Sequence, residues 1–220
     1  MPRNERYVLE ITPADCYRPF KRYGRHTTNY DILWHEEDWK KVALVVFTGG
    51  TDVNPSLYGE KFGKYTGGPD KYRDEHEQNV FYRANTLGIP MAGICRGSQF
   101  LCVMAGGKLV QHVTNHGGYH DIRTHDGKLI ECNSTHHQMQ FPPHGAQILA
   151  MAEPRRSTCY LNGDDEEIGH LLPGDVEVVY YPNINALGIQ YHPEWLEANH
   201  PCVVYCEQVT EEFLFPNHKA

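Results

Sequence analysis

The segment Gly93-Ile94-Cys95-Arg96-Gly97-Ser98-Gln99 permits few folds. It follows the apolar stretch Gly88-Ile89-Pro90-Met91-Ala92 and leads into Phe100-Leu101-Cys102-Val103-Met104-Ala105. A buried strand must stop, turn sharply and become a helix within a few residues. Gly93 and Gly97 leave room where side chains would clash. Such a strand–turn–helix junction is a nucleophile elbow. Cys95 stands at the turn with its sulfur at the positive end of the helix dipole, a position that favours the attacking thiolate. Standing alone, the motif would read better as a buried structural cysteine at a strand–helix junction.

Two other segments change that balance. Downstream, Gly188-Ile189-Gln190-Tyr191-His192-Pro193-Glu194 follows the strand-like run Val176 to Tyr181 and the apolar pair Ala186-Leu187. A cysteine nucleophile needs a base for its proton and a third group to hold that base in one tautomer. His192 and Glu194 can supply both, because residues two apart in an extended chain point the same way and Pro193 stiffens the link. Upstream, the buried-strand pattern Val42-Ala43-Leu44-Val45-Val46-Phe47 runs into Thr48-Gly49-Gly50-Thr51-Asp52-Val53-Asn54-Pro55. Paired glycines at a strand end let a backbone N–H approach a ligand. The N–H groups of Gly50 and Arg96 are therefore assigned to an oxyanion hole.

Together these segments resemble the class I glutamine amidotransferase superfamily. The stretch Thr48 to Glu60, Arg73-Asp74-Glu75-His76-Glu77 and Asn133-Ser134-Thr135-His136-His137-Gln138 are similar to its γ-glutamyl hydrolase branch, the C26 peptidases. Arg96 after the cysteine resembles the bacterial γ-glutamyl-γ-aminobutyrate hydrolases. The resemblance covers roughly residues 42–150 and 175–197. It implies Cys95 as nucleophile, His192 as base, Glu194 as orienting carboxylate, and Gln99 and His136 beside the substrate's glutamyl end. It also implies a flavodoxin-like, three-layer αβα sandwich with a mostly parallel central sheet and some antiparallel edge strands. The chain departs from the branch at the basic stretch Arg18 to His26, read as solvated, and at an insertion from Glu153 to Asp175, read as a solvated surface excursion with a lid or docking loop as the alternative.

The strand–helix alternation independently supports an α/β class. Strands are expected at 7–11, 42–47, 89–93, 128–132, 148–152, 176–181 and 187–191, and helices at 77–87, 98–105 and 201–214. Residues 1–220 read as a single domain. A net charge of −8 argues against a nucleic-acid surface, and no apolar run reaches the length of a membrane span. The amino-terminal residues lack the apolar region of a signal peptide, and the seven cysteines are read as thiols, so a cytoplasmic location is expected. Of fourteen histidines, His112, His116, His120 and His125 suggest a helical metal face. Gly117-Gly118 interrupts the run, so a substrate-flanking loop is expected, with no metal and no cofactor.

The chemistry expected is hydrolysis of a γ-glutamyl amide through a thioester acyl-enzyme, releasing glutamate and an amine. One alternative is a glutaminase that supplies ammonia to a separate synthetase or ligase. A catalytically silent binding module on the same fold is the second.

Overall fold

The computed structural model describes residues 5–12, 14–28 and 35–216. In chain order its elements are β1 (Tyr7–Ile11), β2 (Arg25–Thr27), α1 (Glu36–Trp39), β3 (Val42–Phe47), α2 (Lys71–Thr86), β4 (Met91–Ile94), α3 (Arg96–Met104), β5 (Lys108–Val110) and β6 (His112–Val113). They continue with β7 (Gly117–Thr124), β8 (Leu129–Thr135), β9 (Met139–Phe141), β10 (Gln147–Ala152), β11 (Tyr160–Leu161), β12 (Val176–Tyr181), β13 (Ala186–Ile189) and α4 (Pro201–Val209).

Among the described residues the main sheet runs β2-β1-β3-β4-β13-β12-β10-β7-β8. From β2 to β13 the pairings are parallel. From β13 to β8 they are antiparallel. Parallel strands are covered on both faces and so read as continuous apolar runs. In β3, Val45 and Phe47 enter one core with Phe81 of α2 and Phe100 of α3. Leu44 and Val46 enter the opposite core with Cys202, Val203 and Cys206 of α4. This is the three-layer α/β arrangement expected, with helices on both sides of a mixed sheet.

Four expectations are corrected. Helix α2 begins at Lys71 rather than Glu77, because the Asp70 carboxylate caps it by accepting from the N–H groups of Tyr72 (3.0 Å) and Arg73 (3.1 Å). Its first turns bury Asp74 and Glu77, so apolar periodicity could not reveal them. The region around Gly117-Gly118 is no loop: both glycines lie in β7, opposite Thr135 and Ser134 of β8, and His120, Ile122 and Thr124 point inward from the alternating strand.

The basic stretch is paired rather than freely solvated. Phe20 is fully buried, Arg18 Nη1 donates to the Glu194 carbonyl (2.9 Å), Tyr23 donates to Glu211 (3.1 Å), and His26 lies 2.9 Å from Glu10. The 153–175 insertion also has a core of its own. Tyr160 and Leu172 pack with Val110, Val113 and Met139, and β11 pairs with β6. No helix among the described residues is long and apolar enough to cross a membrane. All seven cysteines are free.

Candidate active site

The elbow is built by close backbone approach. A Cβ on Gly97 would stand 2.2 Å from the Phe47 carbonyl oxygen, and one on Gly93 would stand 2.3 Å from the Gly97 carbonyl oxygen. A side chain at Gly97 would push α3 off β3, and one at Gly93 would push α3 off β4. Between them Cys95 takes φ 52° and ψ −109°, a conformation that costs a non-glycine residue energy and that surrounding structure must hold. Its N–H donates to the Ile189 carbonyl (2.8 Å), which pins the turn to the end of β13. Cys95 caps α3, so the first N–H groups of the helix face its side.

His192 and Glu194 follow the same β13. They meet across a short 3₁₀ turn, Pro193–Trp195, and not along an extended strand as expected. His192 Nδ1 lies 2.7 Å from Glu194 Oε1. Its backbone is gripped twice by Asn133 of β8: His192 N donates to Asn133 Oδ1 (3.0 Å) and Asn133 Nδ2 donates to the His192 carbonyl (2.9 Å). The indole of Trp195 stacks on the imidazole with centroids 3.8 Å apart and planes 1° from parallel. Burial by itself would lower the His192 pKa. Hydrogen bonds to Cys95 and Glu194 outweigh it and raise the group to about 9.

The Gly49–Gly50 loop is held from behind. Arg73 donates through Nη1 to the Gly49 carbonyl (2.9 Å) and through Nη2 to the Thr48 carbonyl (2.9 Å). A trans peptide directs its N–H opposite to its carbonyl, so the Gly50 N–H points away from Arg73. Arg96 is buried, and its guanidinium pairs with Asp74 and Glu77 of α2 while Nε donates to the Thr51 carbonyl (3.0 Å). The side chain of Arg96 thus ties the glycine loop, α2 and the elbow together.

Two cavities meet at Cys95, Gly50 and Thr135. One, of about 270 Å³, is lined by Asp52, Arg96, Gln99 and His136 among others. The other, of about 280 Å³, extends past His192 to Trp195 and Cys16. Gln99 Nε2 donates to the Gln138 carbonyl (3.0 Å). His136 Nδ1 bonds the Gln138 carbonyl (2.9 Å), and its Nε2 faces Glu177 at 3.7 Å. Both residues line the first cavity, with Gln99 Nε2 and His136 Nδ1 engaged behind its wall.

Sequence reasoning missed several neighbours. Thr135 Oγ1 lies 3.3 Å from His192 Nε2, His137 pairs with Asp52 at 3.1 Å beside the first cavity, and the Cys16 thiol donates to Glu194 Oε1 at 3.5 Å. Thr135 and His137 belonged to a motif already singled out, whereas Cys16 left no local signal.

The sequence profile of the peptidase C26 family matches residues 34–158. The chain belongs to the peptidase C26 family. A Mycobacterium tuberculosis protein named among the glutamine amidotransferases is 31% identical over 164 residues, covering 69% of this chain and 50% of that protein. The glutamine amidotransferase-like protein YvdE of Lactococcus lactis is 31% identical over 174 residues, covering 70% of this chain and 66% of its own length. The chain therefore spans between half and two thirds of these relatives. A glutamine amidotransferase of known structure from Thermotoga maritima superposes with a TM-score of 0.56 at 16% identity, over 97% of this C26 chain and 87% of that one. That likeness is one of fold.

Proposed function

We propose that this chain hydrolyses a γ-glutamyl amide bond and releases glutamate and an amine. The observation that carries the reading is the pairing of a cysteine at a strained elbow, φ 52°, with a histidine whose far nitrogen sits 2.7 Å from a buried carboxylate. Membership of the C26 family supports the same chemistry.

In this reading the Cys95 thiolate attacks the γ-carbonyl carbon. The new oxyanion is held by the N–H groups of Gly50 and Arg96. His192, protonated and held by Glu194, gives its proton to the leaving nitrogen as the C–N bond breaks and the thioester forms. It then takes a proton from water, which attacks the thioester; the C–S bond breaks and glutamate leaves. Gln99 and His136 wall the glutamyl side. The cavity beyond His192 accommodates the amine, and its size together with the Trp195 ring favours a leaving group larger than ammonia.

The test is glutamate release from glutamine and, in parallel, from a panel of γ-glutamyl amines and peptides, with Cys95→Ala as the blank. Much faster release from one γ-glutamyl amine is the expected result. Release from glutamine alone would replace this reading with an ammonia donor serving a separate synthetase. A folded protein that releases glutamate from none of them would leave a silent binding module.

A further inference from the structure

Behind the wall of the first cavity lies a buried polar cluster of which the chemistry above uses only His136, as part of that wall. His116, His136 and Glu177 have side chains no more than 1% exposed. They come from three places: His116 immediately before β7, His136 immediately after β8, and Glu177 on β12. One ring nitrogen of each histidine and a carboxylate oxygen of Glu177 all lie within 4.8 Å of one another.

The outer nitrogen of each ring is already committed. His116 Nε2 lies 3.1 Å from Asp175 Oδ2, an oxygen that also accepts from the N–H groups of Arg156 (2.7 Å) and Ser157 (2.9 Å). His136 Nδ1 lies 2.9 Å from the Gln138 carbonyl, which can only accept. In a neutral ring each of these nitrogens carries the proton and the inner nitrogen holds a lone pair; without an ion His116 takes a second proton, because hydrogen bonds to Asp175 and Glu177 outweigh its burial and raise it to about 9. Those lone pairs face Glu177 Oε1 at 3.5 Å from His116 and 3.7 Å from His136. His116 Nδ1, His136 Nε2 and Glu177 Oε2 have no hydrogen-bond partner. Acceptors turned on one another in the interior repel unless a proton, a water molecule or a metal ion stands between them.

The spacing selects the cation. Gaps of 3.5 and 3.7 Å exceed ordinary hydrogen-bond length. They are close to the roughly 3.4 Å that separates donor atoms on a tetrahedral ion with bonds of about 2.0–2.1 Å. A histidine that binds metal through one nitrogen characteristically donates the other to a carboxylate or backbone carbonyl, as both rings do here. We propose that His116 Nδ1, His136 Nε2 and the Glu177 carboxylate bind a divalent transition-metal ion of the zinc class. His120, whose Nε2 is 2.9 Å from Glu177 Oε1, orients the carboxylate. His120, Cys132 and Glu177 form a neighbouring donor set, but there the histidine nitrogen already closes that short contact.

The ion is structural. It joins the antiparallel half of the sheet beneath β8, the strand whose Asn133 grips the His192 backbone. The site is independent of which amide the protein cleaves, and it departs from the sequence expectation of no metal.

The test uses the full chain, purified with chelator and then exposed to zinc or cobalt(II). Metal content after dialysis should reach about one equivalent of zinc. Zinc should raise Tm by roughly 5–10 °C, and cobalt(II) should give the intense visible absorption of a low-symmetry, four-coordinate site. His116→Asn should lose the cobalt spectrum and the zinc-dependent shift in Tm, with circular dichroism confirming that it folds. Should that variant not fold, competition between zinc and cobalt on the native chain reads the same site. A native chain that takes up no zinc in molar excess overturns the proposal and leaves protonated histidines as the balancing charge. Undiminished binding by folded His116→Asn overturns it as well.

Discussion

Glu194 Oε1 reaches His192 Nδ1 at 2.7 Å across a turn that contains Pro193, while the Glu194 carbonyl accepts from Arg18 of the amino-terminal segment. Carboxylate and imidazole are therefore fixed by both local turn geometry and a contact from far along the chain. His192 has its pKa raised from 6.5 to about 9. A group raised on folding stabilises fully below its unfolded value, and that contribution is lost as pH rises through the folded value. Stability from His192 should thus be intact below about pH 6.5 and fade toward pH 9. In Glu194→Gln the loss should move to lower pH. Thermal melts of both proteins across this range, taken as a difference so that other histidines cancel, check it. Identical profiles would refute the assigned coupling.

Cys95→Ala should abolish turnover, by about 10⁴-fold or more, with an unchanged circular dichroism spectrum. Substantial residual activity would sink the assignment of the nucleophile. Glu194→Gln should lower kcat by less, about 10²–10³-fold, because it disturbs orientation and charge without removing a reacting atom.

Arg96 is buried against Asp74 and Glu77. Replacing it with Met leaves the Asp74 carboxylate in the interior without a paired counter-charge and leaves Glu77 with Arg73 alone. The expected cost is about 3–5 kcal/mol of stability, measured by urea unfolding at neutral pH. A loss within 0.5 kcal/mol or so, the range of ordinary surface substitutions, would show that the network contributes little.

Trp195 is 58% exposed yet lies flat on the His192 ring. Trp195→Ala should reduce kcat/KM for γ-glutamyl amines by about 3–10-fold, the scale of one lost aromatic contact, and affect glutamine less. Equal losses on both substrates would mean that the ring serves only to position His192.

Gly97→Ala places a methyl group 2.2 Å from the Phe47 carbonyl oxygen, a backbone atom that cannot rotate away. The variant should be recovered mainly unfolded or aggregated. Soluble protein with native Tm would contradict the packing of α3 on β3.

The elbow, the strand–glycine junction after Phe47 and the His192–Glu194 pair were all legible in the chain, because each is a local device. Glycines bracketing a cysteine, or a proline between two polar residues, state their geometry within a few positions. Strands β1, β3 and β12 were equally legible, since parallel or central strands buried on both faces are written as unbroken apolar runs. The first turns of α2 were not, because their buried face is charged and its partner, Arg96, comes from α3. Nor was β7, whose glycines look like a loop until β8 pairs with them.

By itself, then, the sequence determined the α/β class and the elbow, and it singled out the side chains proposed for attack, proton transfer and orientation, since these depend on neighbours along the chain. Tertiary structure alone decided that Cys16, Arg18, Asn133 and Thr135 surround His192–Glu194, and that His116, His136 and Glu177 converge in the interior. The reason is physical. Such contacts join residues far apart in sequence, each with an ordinary local environment, and the burial that makes their charges and lone pairs matter exists only after the sheet has closed over them.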